Sequence, residues 1–98
     1  MIVDKNVNGS VIVLKLRGRL DKTTASALEA SLEGCTDGVR EIVLDFGEVD
    51  EISSAGLRVL LKIRKSVASK DRMKLINVGG SVMEVFELTG FSDILTVE

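Results

Sequence analysis

Two adjacent serines, Ser53 and Ser54, stand in the segment Leu44-Asp45-Phe46-Gly47-Glu48-Val49-Asp50-Glu51-Ile52-Ser53-Ser54-Ala55-Gly56-Leu57, where most of the chain's unusual chemistry is concentrated. They stand just ahead of a pattern of apolar residues at helical spacing. A serine there serves as an N-cap, its hydroxyl accepting a hydrogen bond from a free backbone N–H. Only one of the two can be the cap, which leaves the other hydroxyl to be presented outward, and Gly56 permits close approach by another backbone. A phosphate on the outward hydroxyl would add about −1.5 to −2 charges beside a helix N-terminus, whose dipole favours an anion. With Glu48, Asp50 and Glu51 close by in sequence, the added charge would strengthen an acidic patch and repel an acidic partner, which makes a binding switch. The plain alternative is a capping serine beside a solvated acidic loop.

Other constellations carry less. Asp45, Glu48, Asp50 and Glu51 match no specific cation loop, so no metal site is expected. Gly79-Gly80-Ser81 lacks the Lys and the glycine spacing of a phosphate-binding loop, and capping accounts for it. Asp45, at the end of a buried strand, would need an acidic pair after an earlier strand and a late Lys to act as an acyl-phosphate acceptor. Asp21 has no acidic neighbour, and nothing after Lys74 is basic. The chain has no His and one cysteine, Cys35, which fits an apolar helix face as a small hydrophobe. No catalytic residue and no cofactor are therefore expected, and the chain reads as a non-enzyme.

With 13 Lys and Arg against 15 Asp and Glu, a net charge of −2 argues against nucleic acid as a direct partner. No apolar run approaches the roughly 18 residues of a membrane span, and the first ten residues lack the pattern of a signal peptide, so a cytoplasmic chain without membrane insertion is expected. Its 98 residues, 45% hydrophobic and 29% charged, make one domain over 1–98.

The elements that must position the serines follow from periodicity. Asn8-Gly9 between two apolar runs predicts a hairpin with a primed turn, whose second strand points Ile12, Leu14 and Leu16 to one face. Asp21 caps a helix over Lys22 to Gly34 with Ala25, Leu28, Leu32 and Cys35 inward. The run Glu41 to Phe46 predicts a central strand covered on both faces and parallel to the second strand. Ser53 and Ser54 open a helix through about Ser69, with Arg58, Lys62 and Lys65 as the stripe opposite its apolar face and Arg64 snorkelling. Met73 to Val78 is a strand, Ser81 to Glu84 has capping-box spacing for a third helix ended by Gly90, and Ile94 to Val97 adds a short edge strand.

The chain also resembles the STAS-domain anti-sigma factor antagonists, or anti-anti-sigma factors, along almost its whole length. Gly18-Arg19-Leu20-Asp21 is similar to that family's Gly-x-Leu-Asp element, Ile42 to Leu57 to its most diagnostic segment, and Thr89-Gly90-Phe91 to its late Thr-Gly element. Ser53-Ser54-Ala55-Gly56-Leu57 corresponds to the family's Asp-Ser-Ser/Thr/Ala-Gly-Leu, so the resemblance implies Ser54 as the phosphoserine. Ser53 stands where Asp is usual, and Gly47 follows Asp45-Phe46 where Ser is common. The implied fold is α/β: a STAS-type single domain, a mixed β-sheet with helices packed mainly on one face, in the order ββαβαβα with a terminal strand. The implied cycle has the unphosphorylated chain bind an anti-sigma factor serine kinase and free a sigma factor. Phosphorylation of Ser54 switches binding off, and a serine phosphatase resets it. Asp21, Asp50, Glu51, Ser53, Ser54, Gly56 and Arg58 are then the partner-binding candidates. The alternative is a stand-alone STAS scaffold subunit of a transport or signalling complex, using the same loop without phosphate turnover.

Overall fold

In the second strand Ile12, Leu14 and Leu16 are buried while the residues between them are half-buried or exposed, so the alternation read from the sequence is the packing of the chain. A computed structural model describes residues 2–32, 40–67 and 72–97, and Cys35, assigned above to a helix face, lies outside them. The elements are β1 (Ile2–Asn8), β2 (Val11–Leu20), α1 (Lys22–Leu32), β3 (Glu41–Ile52), α2 (Ser54–Ser66), β4 (Met73–Ile76), α3 (Gly80–Thr89), α4 (Phe91–Ile94) and β5 (Thr96–Val97). The strands form one sheet in the order β1-β2-β3-β4-β5. β1 and β2 are antiparallel, and β2, β3, β4 and β5 pair in parallel. β3 is central, and the mixed α/β architecture is the one expected, with a one-turn helix added between Gly90 and the edge strand.

The hairpin turn is of the primed kind but sits one residue later than Asn8-Gly9. Asn8 pairs with Val11, so Gly9 and Ser10 are the central residues, and only Gly9 has a positive φ, +62°, which is the type II′ pattern. β4 ends at Ile76 rather than Val78, because Asn77 takes a left-handed conformation with φ of 57° and turns the chain out of the sheet. The capping box does not form at Ser81. Gly79 is the N-cap of α3 without a side-chain hydrogen bond, which moves Ser81 inside the first turn, where its hydroxyl cannot cap.

β3 departs from expectation in two ways. Only its Ile42, Leu44 and Phe46 side is buried, and Val43 is half-buried. Helices α1, α2 and α3 send Leu28, Leu60 and Phe86 into one cluster on that side, and Phe86 meets Phe46 edge-on with ring centroids 6.2 Å apart. The strand also runs on to Ile52, so Glu48, Asp50 and Glu51 are strand residues rather than a solvated loop. β2 is long enough to hold them. Its pairing continues from Arg17↔Glu48 to Leu20↔Ile52 across two register shifts. From Lys15 to Arg17 β2 advances two residues while β3 advances three, from Asp45 to Glu48; from Gly18 to Arg19 it advances one against two, from Val49 to Glu51. These are bulges in β3, and they carry the strand to the start of α2 with its last turn of charges exposed.

Candidate functional site

The C-terminal ends of β2 and β3 deliver the starts of α1 and α2 to the same end of the sheet. The Ser53 N–H donates to the Leu20 carbonyl at 2.9 Å, so the junction at Leu20-Asp21 is tied directly to the serine pair. Ser53 is the N-cap of α2. It is extended, with φ −100° and ψ 174°, and its Oγ accepts the Gly56 N–H at 3.3 Å. Ser54 is the first residue of the helix and is exposed, and its Oγ has no hydrogen-bond partner among the described residues. The two hydroxyls that sequence alone left interchangeable are thus divided between a structural task and an open position.

α1 begins in a parallel way. The Asp21 carboxylate accepts the Thr23 and Thr24 N–H groups at 3.0 and 3.1 Å, and the Thr24 hydroxyl accepts the Asp21 N–H at 2.7 Å. This reciprocal cap is signalled by the spacing Asp21-x-x-Thr24, with Thr in the place of the more usual Glu, and only its Asp half was read from the sequence. The Thr24 backbone N–H is the largest influence holding the Asp21 carboxyl below its ordinary 3.8; the Thr24 hydroxyl, the Thr23 N–H and the Arg19 charge add to it against the cost of desolvation. A depressed folded value means that the charged cap stabilises fully above the unfolded value and is lost as pH falls through the lowered one. The stability difference between the wild type and Asp21→Asn, followed by denaturation from neutral pH downward, will therefore change only below about pH 3.8. A difference that stays constant through that range would contradict this role of the charge.

The acidic residues are not a single-sign patch. Arg17 Nε meets Glu48 at 2.8 Å and Arg19 Nε meets Glu51 at 3.0 Å, both across the β2–β3 ladder. Lys15 adds a longer contact to Glu48 at 3.9 Å. Asp50, the extra residue of the second bulge, is exposed and has no ion-pair partner among the described residues. Pairs this exposed contribute little stability, and their effect is to fix the charge pattern beside Ser54. Arg17 and Arg19 are thus site residues that sequence spacing did not single out, since the bulges decide which acid each one faces. Asp45 is turned to a different task, its Oδ1 accepting the Gly47 N–H at 2.9 Å and the Asn77 amide at 3.1 Å.

Gly56 is buried, and the backbone it approaches belongs to this chain. A Cβ there would lie 2.8 Å from the Leu20 carbonyl oxygen and 2.9 Å from Leu20 Cγ. It shapes the site from beneath by letting α2 rest on the end of β2. Arg58, one turn after Ser54, is exposed and lines a shallow groove with Lys22, Ala25, Ala55 and Val59 between the first turns of α1 and α2. Farther along, Lys62 of the basic stripe pairs with Glu29 of α1. Arg64, half-buried, donates from Nε to the Ile94 carbonyl at 3.0 Å and so ties α2 to α4, which is a structural use of the residue that interrupts the apolar arc. Leu20, the neighbour of Asp21, is bonded to Ser53, which precedes Ser54, while Asp50 and Glu51 close β3 just before the serines and Arg58 follows one turn into α2. No helix among the described residues is long and apolar enough to cross a membrane.

Comparison with known proteins places this geometry. The family model of the STAS domain matches residues 3–98. The candidate anti-sigma factor antagonist BtrV of Bordetella bronchiseptica is 39% identical over 99 residues, covering 99% of this chain and 84% of BtrV. Among solved structures, an anti-sigma factor antagonist from Mycobacterium paratuberculosis shares the fold with a TM-score of 0.85 at 22% identity, over 98% of this chain and 83% of that one. The Bacillus cell fate determinant SpoIIAA in its phosphorylated form does so with a TM-score of 0.75 at 19% identity, over 99% and 91%. The chain belongs to the STAS domain family, and the relatives it matches there are named anti-sigma factor antagonists.

Proposed function

We propose that this chain is an anti-sigma factor antagonist that works as a partner switch. Unphosphorylated, it binds an anti-sigma factor serine kinase and frees a sigma factor; phosphorylated on Ser54, it releases the kinase; a serine phosphatase restores it. The observation that carries this reading is the division of labour between the serines: Ser53 Oγ is committed to the Gly56 N–H, while Ser54, exposed at the first position of α2, has no partner for its Oγ among the described residues. A phosphoryl group there enters solvent, next to backbone N–H groups that favour an anion, and disturbs no buried contact. The resemblance of the fold to a protein solved in phosphorylated form supports the same reading. The chain would supply only the acceptor hydroxyl, with ATP, Mg²⁺ and the catalytic groups coming from the kinase. Asp21, Asp50, Glu51, Ser53 and Arg58 would form the rim read by the partner, and Gly56 would hold that rim in place.

The test is site mapping by fragment mass spectrometry of the chain recovered from its native cell, with Ser54→Ala in parallel. Phosphate on Ser54, absent from the variant, is the expected result. An unmodified Ser54 under growth and stress, in a chain that co-purifies with a transporter or signalling complex, would overturn the switch in favour of a scaffold.

A further inference from the structure

We propose that a phosphoryl group on Ser54 is held by the chain's own Arg58, with Lys22 of α1 as a second cation, so that phosphorylation withdraws Arg58 from the surface offered to the partner. The inference rests on the reading of Ser54 as the acceptor and adds what receives the phosphate. Ser54 and Arg58 are four positions apart in α2, and residues at that spacing share one face of a helix, a turn apart. The Cα–Cβ bonds of a helix tilt toward its N-terminus, so the long side chain of Arg58 leans over the turn that holds Ser54 and Ala55. An anion four residues before a cation is also the favourable order for such a pair.

The groove beside this turn, about 370 Å³, is lined by Arg58 and Lys22 together, and the small side chains of Ala25 and Ala55 leave it open. Both cations are exposed, and neither has an ion-pair or hydrogen-bond partner among the described residues. They stand on the first turns of α1 and α2, whereas the undescribed residues 33–39 and 68–71 adjoin the far ends of those helices, ten or more positions on. The neighbouring carboxylates are mostly engaged. Asp21 caps α1 by accepting the Thr23 and Thr24 N–H groups, Glu29 pairs with Lys62, and Glu51 pairs with Arg19. Asp50, before the serines on β3, has no ion-pair partner among the described residues. The groove thus offers two cations to an anion on Ser54. A phosphoserine brings about −1.5 to −2 charges and three acceptor oxygens, two of which match a guanidinium fork, and the remaining charge suits the Lys22 ammonium. Since the three side chains lie at the surface, the clamp forms without disturbing the core, and the partner then meets a groove whose cations are already occupied.

The test takes the full chain with phosphoserine installed at position 54 and follows its ³¹P resonance at low salt through the second ionisation, which lies near about pH 6 in an unperturbed phosphoserine. A guanidinium beside the phosphate favours the dianion, so the midpoint with Arg58 present should lie below that of Arg58→Gln by about half a pH unit, the size suited to an exposed pair. Lys22→Gln should raise the midpoint in the same direction by less. The Arg58 effect should shrink in roughly 1 M NaCl, where such a pair is screened. Lys65→Gln removes the same charge from an exposed position about three turns along α2 and should leave the midpoint nearly in place. If Arg58→Gln does not fold, Arg58→Ala, with the better helix former, carries the same comparison. Equal midpoints with and without Arg58, or a shift as large from Lys65→Gln, would overturn the clamp. Because the phosphoserine is installed, the result does not depend on a kinase: an unmodified Ser54 in the native cell counts against the switch, and a titration unmoved by Arg58→Gln counts against the clamp alone.

Discussion

Ser53→Ala and Ser54→Ala will separate stability from phosphate acceptance. Ser54→Ala should stay within about 0.5 kcal/mol of the wild type in urea denaturation, because the hydroxyl removed belongs to an exposed residue and has no partner among the described residues, and alanine suits a first helical turn. The same variant should accept no phosphate from the cognate kinase. Ser53→Ala should lose about 1 kcal/mol, since the Gly56 N–H then has no side-chain acceptor and α2 loses its cap. It should still be phosphorylated on Ser54. The reverse pattern, with Ser53→Ala abolishing acceptance at unchanged stability, would exchange the two roles and remove the structural ground for assigning the switch to Ser54. The contrast bears on this chain in particular, because the cap position holds Ser where the family it resembles usually has Asp, so two hydroxyls compete for one task.

Gly56→Ala will be the most destabilising conservative change at the site. Alanine improves intrinsic helix propensity by about 1 kcal/mol over glycine. Against that gain, the added Cβ would stand 2.8 Å from the Leu20 carbonyl oxygen, 2.9 Å from Leu20 Cγ and 3.0 Å from Ile52 Cγ1. The side chains can yield by a few tenths of an ångström, but the carbonyl cannot move without loosening the bond it accepts from the Ser53 N–H. Overpacking of about 1–3 kcal/mol and a weakened hydrogen bond of about 1 kcal/mol together exceed the propensity gain. A net loss of about 2 kcal/mol is expected, read as a lower urea midpoint at unchanged slope. The strain falls on the backbone that carries both caps, so partner affinity should fall with stability. An unchanged midpoint would mean that α2 does not rest on the end of β2 as described.

What sequence made legible follows the range of the forces involved. Alternation placed Ile12, Leu14 and Leu16 on the core face of β2, and helical spacing placed Ala25, Leu28 and Leu32 inward, because burial acts residue by residue along a regular element. The parallel pairing of β2 with β3 followed from the helix between them. The bulges in β3 were not legible, since they depend on how two strands of unequal residue number share one register; with them went the pairings of Arg17 with Glu48 and of Arg19 with Glu51. The one-sided burial of β3 was missed for a related reason. Ile42-Val43-Leu44 is apolar whichever face is covered, and the placement of the helices decides the matter. At the site itself, the motif located the serines, but which hydroxyl caps and which faces outward rests on a single hydrogen bond to the Gly56 N–H. The chain that crowds Gly56 was not in the pattern either, since it comes from Leu20, thirty-six positions earlier.

The central claim is that phosphate on Ser54 changes partner affinity and leaves the core alone. The direct measurement takes the anti-sigma factor kinase that co-purifies with the unmodified chain and compares its affinity for two forms of the full-length protein, one unmodified and one with phosphoserine installed at position 54. The added charge of about −1.5 to −2 would sit at the rim beside Asp50, which has no ion-pair partner among the described residues, and a like-charged or desolvated contact there costs several kcal/mol. Weakening of about 100-fold is therefore expected, with denaturation midpoints of the two forms nearly the same. Equal affinity of the two forms would contradict the switch.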